Sequence, residues 1–331
     1  MVYMMNKNKF NKYLPLSLAI IFSGYTSVSI AGGPVEISAI SAFNKGTAIA
    51  KGFDQFVASI NEDKNAPVRI RYVGGPEAMP PFQIGNAVKN GVVDMILSTG
   101  AFYSNVMPAA DSLKLTRYSP QELREAGKWS QLQHIWKEEM NVHLLAYTNY
   151  GNEFHLYTNK PLTSANLEGQ RLRITPIYRA FFKELGASVM QTTPGEVYTA
   201  LERGVVDGYG WTMQGVFDLG WQEQTKYRVD PGFYQADVTV MINERTWSNK
   251  LTQEQRDYLT QKALWLESLN DNNAAISQNE RKLQKEAGIQ TLTLEGNEKE
   301  RYLKVAYDAA WRELLDNDEE TTRRIKEIID Y

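Results

Sequence analysis

Pro194-Gly195-Glu196-Val197-Tyr198-Thr199-Ala200-Leu201-Glu202-Arg203-Gly204-Val205-Val206-Asp207 repeats a pattern that occurs earlier in the chain. The first copy is Pro81 through Gly91-Val92-Val93-Asp94, with nine residues between proline and glycine in both cases. A proline suits the first helical position, where its missing N–H would have no partner anyway, and a glycine suits the left-handed position that closes a helix. Each copy therefore reads as a helix, a turn, and a buried strand that Val-Val-Asp begins. Ala87-Val88 and Ala200-Leu201 give the two helices an apolar face to lay on a sheet. A unit of this kind used twice predicts twin α/β lobes. Ligands of open α/β sheets bind beyond the carboxyl ends of strands, which the reading places near Asp94 and Asp207.

Outward from the repeats, the pattern is βαβ. Val35–Ile40 and Val68–Val73 alternate as strands, and Ile49, Phe53, Phe56, Val57 and Ile60 recur at helical spacing between them. Val92–Leu97 closes the unit. Further strands are expected at 142–148, 153–158, 171–175 and 238–243, and a short one at 289–294. Long helices are expected over 252–287, ended by Gly288, and over 299–331. The fold class is α/β, with mixed or parallel sheets flanked by helices. No Gly-, Ser- or Pro-rich linker separates the halves, so ordered segments carry the chain between them, an arrangement suited to a hinge.

Residues 1–31 read as an export signal. Lys7, Lys9 and Lys12 precede a short apolar run over 14–22, and Ser29-Ile30-Ala31 is a small-x-small cleavage site. Removing them takes the formal charge from −3 to −6. The remaining surface has no basic stripe to follow a phosphate backbone, so nucleic acid is not an expected partner. The chain has no cysteine, which excludes disulfides and thiolate metal sites.

Catalytic chemistry has little support. His134, His143 and His155 lack ligand spacing, and no Gly-x-Ser-x-Gly elbow or phosphate-cradling loop is present. Neither a metal nor a cofactor is expected. What stands out is Arg171-Leu172-Arg173-Ile174, whose alternation sends both arginines to one side of a strand. A guanidinium matches the two oxygens of a carboxylate, so one of the pair is a candidate clamp for an anion.

Gly169-Gln170-Arg171-Leu172-Arg173-Ile174, Leu185-Gly186-Ala187, Gly195 to Leu201 and Gly204 to Gly208 resemble, in order and spacing, the solute receptors of tripartite ATP-independent periplasmic (TRAP) transporters. The resemblance extends over nearly the whole chain after residue 31. It implies a two-lobed periplasmic-binding-protein fold with a long bridging helix. Lobe I would comprise 32–150 and about 237–275, and lobe II about 151–236 and 276–331. It implies a periplasmic receptor that closes on a small organic acid and passes it to the permease subunits in the inner membrane, with no enzyme activity.

By position, Arg173 matches the arginine that pairs with the substrate carboxylate, and Trp211 a pocket-lining residue with Tyr209 beside it. Thr99, Phe82 and Gln83 occupy places that face the ligand. Phe154 stands where sialic acid receptors carry a second arginine, and Gly210 where some relatives carry a metal-binding glutamate. An aromatic pocket around one cation suits a monocarboxylate or a compact hydroxy- or keto-acid better than a sugar acid, with a dicarboxylate held by neutral donors still open. Two rival readings are a sensor that presents its ligand to a signalling partner, and an enzyme using Glu196 or Asp207 as a base.

Overall fold

The computed structural model describes residues 33–162 and 164–330, so the export signal expected over 1–31 lies outside the described residues. Among the described residues eleven strands fall into two sheets. The first contains β1 (Val35–Ser41), β2 (Val68–Gly74), β3 (Met95–Thr99), β4 (Val142–Thr148) and β10 (Val238–Asn243), in the order β2-β1-β3-β10-β4. The second contains β5 (Phe154–Thr158), β6 (Arg171–Ile174), β7 (Ser188–Gln191), β8 (Gly208–Thr212), β9 (Tyr227–Asp230) and β11 (Gln290–Thr293), in the order β11-β9-β5-β8-β6-β7. Both sheets are mixed: β1 runs parallel to β2 and β3 while β10 is antiparallel to β3 and β4, and β6 runs parallel to β7 and β8 while β5 is antiparallel to β8 and β9.

The repeated unit looks alike in the two sheets. Pro81 and Pro194 each open a single 3-10 turn that runs into a six-residue helix, α2 (Ile84–Lys89) or α6 (Val197–Glu202). Gly91 and Gly204 then take φ of +73° and +63°, a region that glycine enters without steric cost. The strands start later than the sequence suggests. Val92 and Val205 are 73% and 46% exposed, and only Val93 and Val206 turn inward, so Val-Val-Asp belongs to the turn. Asp94 and Asp207 stand at the amino ends of β3 and β8, and the carboxyl ends lie at Thr99 and Thr212. Each aspartate ties its strand to the parallel neighbour: Ser38 N donates to Asp94 at 2.8 Å, and Arg171 N to Asp207 at 3.0 Å.

The helices flank these sheets. In sequence order they include α1 (Lys51–Asn61), α3 (Pro120–Glu125), α4 (Lys128–Met140), α5 (Arg179–Glu184), α7 (Gln253–Ser268), α8 (Asn273–Glu286), α9 (Gly296–Asn317) and α10 (Glu319–Ile329). The long helix expected over 252–287 is capped by Thr252 and closed by Gly288, but a 3-10 turn over Leu269–Asn272 interrupts it. The run Asn270-Asp271-Asn272-Asn273 explains the break, since short polar side chains compete with helical hydrogen bonds. Asn273 donates instead to Tyr150 O at 2.8 Å. The last helical stretch is also two helices, because Asp318 leaves helical geometry and accepts from Thr321 N to cap α10. Arg324 of α10 pairs with Glu138 of α4 at 2.6 Å, and α10 packs both on α4, which lies against β4 of the first sheet, and on α9.

The chain passes between the sheets after β4, before β10 and at the break between α7 and α8. These crossings lie side by side: Ala236 N donates to Asn152 O at 3.1 Å, and Asn273 Nδ2 to Tyr150 O at 2.8 Å. No helix of the described residues is long and apolar enough to cross a membrane.

His143, on β4, stacks on Trp247 with ring centroids 3.9 Å apart, and burial pushes its imidazole down from 6.5 to about 4. The native ring stays neutral where the unfolded ring takes a proton, so stability is complete above pH 6.5 and falls as the pH drops toward 4. The full effect is about 3 kcal/mol. Urea unfolding at pH 7 and pH 4.5 should show a smaller acid loss for His143→Phe, which keeps a ring on Trp247 and cannot titrate; an equal loss in both proteins would assign the acid sensitivity elsewhere.

Candidate ligand-binding cleft

A small cavity of about 20 Å³ lies where β3, β6 and β8 end and β5 and β10 begin. From the first sheet it takes Thr99 at the end of β3 and Asp237-Val238 at the start of β10; from the second it takes Phe154 of β5, Trp211 of β8 and Thr175 just after β6. Phe43 and Phe102 complete an aromatic wall. A wider mouth of about 250 Å³ shares Phe43, Ile49 and Trp211 with it and is framed by Pro81 and Pro194, the two prolines that open the repeats. The Trp211 indole N–H is buried and has no hydrogen-bond partner in the structure. A buried donor in this state is costly unless something accepts from it.

Arg173 is fully buried. Its guanidinium donates to Tyr178 Oη at 3.2 Å, to Thr192 Oγ1 at 3.3 Å and to Thr192 O at 2.7 Å, and it sits 6.0 Å from the centre of the Trp211 ring. Burial pulls its proton affinity below the ordinary arginine range, with the Tyr178 hydroxyl opposing. Among the described residues no carboxylate lies within ion-pair distance of it. Its neighbour on the same strand face differs. Arg171 is half-exposed and forms a two-pronged pair with Asp207 at 2.9 and 3.0 Å, and Lys160 adds a third bond at 2.8 Å. These partners hold the Asp207 carboxyl far below the usual carboxylate range, against its partial burial.

Of the other residues singled out by sequence, Thr99, Phe154 and Trp211 meet in the inner cavity. Tyr209 does not. It lies on the same face of β8 as Trp211 but one step back toward the strand's amino end, packed with Trp221, stacked on Tyr157 at 5.1 Å and bonded to Thr225 Oγ1 at 2.8 Å. Gln83 is exposed and lines neither the inner cavity nor its mouth, and Phe82 faces a separate polar cleft while touching Phe102 edge-on at 5.0 Å. Asp237, Thr175 and Phe43 were missed. For Asp237 a signal existed: it is an acid immediately before the apolar run 238–242, where the chain re-enters the first sheet.

The profile of the bacterial extracellular solute-binding proteins, family 7, matches residues 40–318. The chain belongs to that family. These proteins are receptors and not enzymes, and the two residues offered as bases have structural tasks here. Glu196 closes a capping box with Thr193, and Asp207 ties β8 to β6. A monocarboxylate 2-oxoacid-binding periplasmic protein of Nostoc is 25% identical over 62% of this chain, and the chain spans 59% of that relative's length. A TRAP periplasmic solute-binding protein of Desulfovibrio salexigens with bound orotic acid superposes with a TM-score of 0.78 at 19% identity, covering 89% of this chain and 97% of that one. A TRAP solute-binding protein of Bordetella bronchiseptica, with calcium and picolinate in its site, gives 0.76 at 21% identity, covering 90% and 93%. The two-lobed family fold accounts for the paired sheets.

Gly210 of this receptor is set by packing. A Cβ there would lie 2.6 Å from the Tyr178 ring, whose hydroxyl donates to Gly210 O at 2.5 Å while accepting from Arg173. Tyr178 thus fills the space in which a side chain at 210 would stand, and steadies the guanidinium from behind.

Proposed function

We propose that this protein is a periplasmic receptor for a compact monocarboxylate, which it encloses between two lobes and delivers to a TRAP membrane permease. The observation that carries the reading is Arg173, a buried cation with neutral partners beside an aromatic cavity. A buried charge without a counter-ion is expensive, and an arriving carboxylate is the natural way to offset it. The Trp211 N–H offers a second donor. The mouth, about 250 Å³, lies just below the usual size range of ligand pockets, and the walls of the mouth and of the inner cavity are largely apolar, which favours short or planar acids over polyhydroxylated ones. The Nostoc relative's 2-oxoacids, and the orotate and picolinate of the structural neighbours, are acids of that size.

The lobes we assign follow the sheets: 33–150 and about 237–270, with α10, form the first, and 151–236 with about 273–317 the second. Of the four crossings this assignment makes, the three that lie side by side would serve as the hinge, and closure would be driven by the extra contacts of the closed state.

A thermal-shift panel of pyruvate, lactate, orotate, picolinate, malonate and L-gulonate tests this reading. At a concentration of 100 Kd a ligand adds about 2.7 kcal/mol, several degrees for a chain of this size. Compact monocarboxylates should raise Tm by about 5 °C or more. L-Gulonate should not. If none of the acids moves Tm, the receptor reading fails.

A further inference from the structure

Asp237 is an unexpected group to find in a cavity that receives an anion. It is 1% exposed and lines the inner cavity together with Thr99 and Trp211. Its oxygens are met by neutral donors only: Thr99 Oγ1 donates to Oδ1 at 2.6 Å, and Gly100 N to Oδ2 at 3.2 Å. Among the described residues no cation lies within ion-pair distance of it. Around it stand Asp111, Lys114, Tyr103 and Tyr147. Lys114 is committed to Asp111 and to the carbonyl of Ile177, and burial keeps both tyrosines neutral. Arg173 lines neither cavity but stands 6.0 Å from the ring of Trp211, which shares the inner cavity with Asp237, so an ionised Asp237 would repel an acid drawn in past Trp211, whereas a neutral carboxyl could bond to it.

Resting on the receptor reading above, we propose that Asp237 contacts the ligand as a protonated carboxyl, donating a hydrogen bond to an oxygen of the bound acid, so that above the titration of the free carboxyl each anion enters together with one proton from solvent. Burial and the charge of Asp111 already push this carboxyl well above the ordinary carboxylate range, against the pull of Thr99, Lys114 and Gly100. A second negative charge brought close to it shifts the balance further the same way. The consequence is selectivity for acids with an oxygen acceptor facing β10, and an affinity that declines with rising pH.

Titration calorimetry of the protein with pyruvate and with orotate, in phosphate and in Tris, reads the proton directly, because the two buffers differ in ionisation enthalpy. Above the titration of the free carboxyl, which a pH series to 8.5 brackets, the expected result is uptake approaching one proton per acid bound, with Kd weakening by about tenfold per pH unit. Asp237→Asn presents an amide N–H in the same place and does not titrate. It should show no uptake and a flat pH profile, and it should bind more tightly than the parent at pH 8.5. Binding by the parent without proton uptake, or uptake retained in the asparagine variant, would overturn the proposal. If the variant fails to fold by circular dichroism, the buffer comparison on the parent decides alone. Failure of the parent to bind either acid refutes the receptor reading itself, which is a different outcome from binding without a proton.

Discussion

Arg173→Ala should abolish acid binding, weakening it by at least about a hundredfold, while the free protein unfolds at nearly the parent temperature. The first half follows from the pairing. Hydrogen bonds to an ionised group contribute about 1.5–3 kcal/mol each, and a carboxylate held by two of them loses both together. The second half follows from what surrounds the guanidinium in the free protein. Its partners are Tyr178 and Thr192, each of which keeps another bond: Tyr178 still donates to Gly210 O, and the Thr192 hydroxyl to Thr193 O. Removing a buried cation that has no counter-ion relieves a desolvation cost that roughly offsets the space left behind. Arg173→Lys should fall between the two, since an ammonium keeps the charge and loses the planar fork. Calorimetric titration with the acids that stabilise the parent, and a melting curve without ligand, check both halves. A variant that bound as tightly as the parent would remove Arg173 from the site.

What the sequence revealed and what it hid follow from the range of the forces involved. The repeated helix and turn were legible because Pro81, Pro194, Gly91 and Gly204 answer local demands on φ. The start of each strand was not, because Val92 and Val205 are exposed by a turn whose outcome depends on which neighbour the strand joins. Strands β7 and β9, four residues each, escaped notice for the same reason; β7 lies at a sheet edge with little of it buried. Alternation placed Arg171 and Arg173 on one side but could not say which would be free. That was settled by Asp207, 36 positions away, which takes Arg171 and leaves Arg173 to the interior. Resemblance carried Trp211 and Thr99 into the cavity, yet it sent Tyr209 there as well, when Trp221 and Tyr157 hold that ring in the core one step back along the same face of β8.

Lys114→Met should destabilise the protein by about 3–5 kcal/mol, a far larger loss of stability than Arg173→Ala should bring. Lys114 and Asp111 form an ion pair one helical turn apart, with side chains 1% and 7% exposed. The ammonium also bonds to the carbonyl of Ile177, just beyond β6, and lies 5.0 Å from the Tyr234 ring, so it joins the first sheet's layer to the second. Burial raises the Asp111 carboxyl and Lys114 is the main force lowering it. With the lysine gone, that carboxyl must either stay charged without a partner or take a proton, and both cost folding energy. The opposite deletion, Asp111→Asn, strands a buried ammonium and should cost a similar amount. The two changes share one interaction, so they should not add: the double variant Asp111→Asn/Lys114→Met removes both charges and should recover most of the loss, as neutral replacements of buried pairs commonly do. Urea unfolding of the four proteins at pH 7 measures the coupling. Additive losses would mean that Lys114 acts through Ile177 and Tyr234, as a bolt between the two sheets, and not through its charge on Asp111.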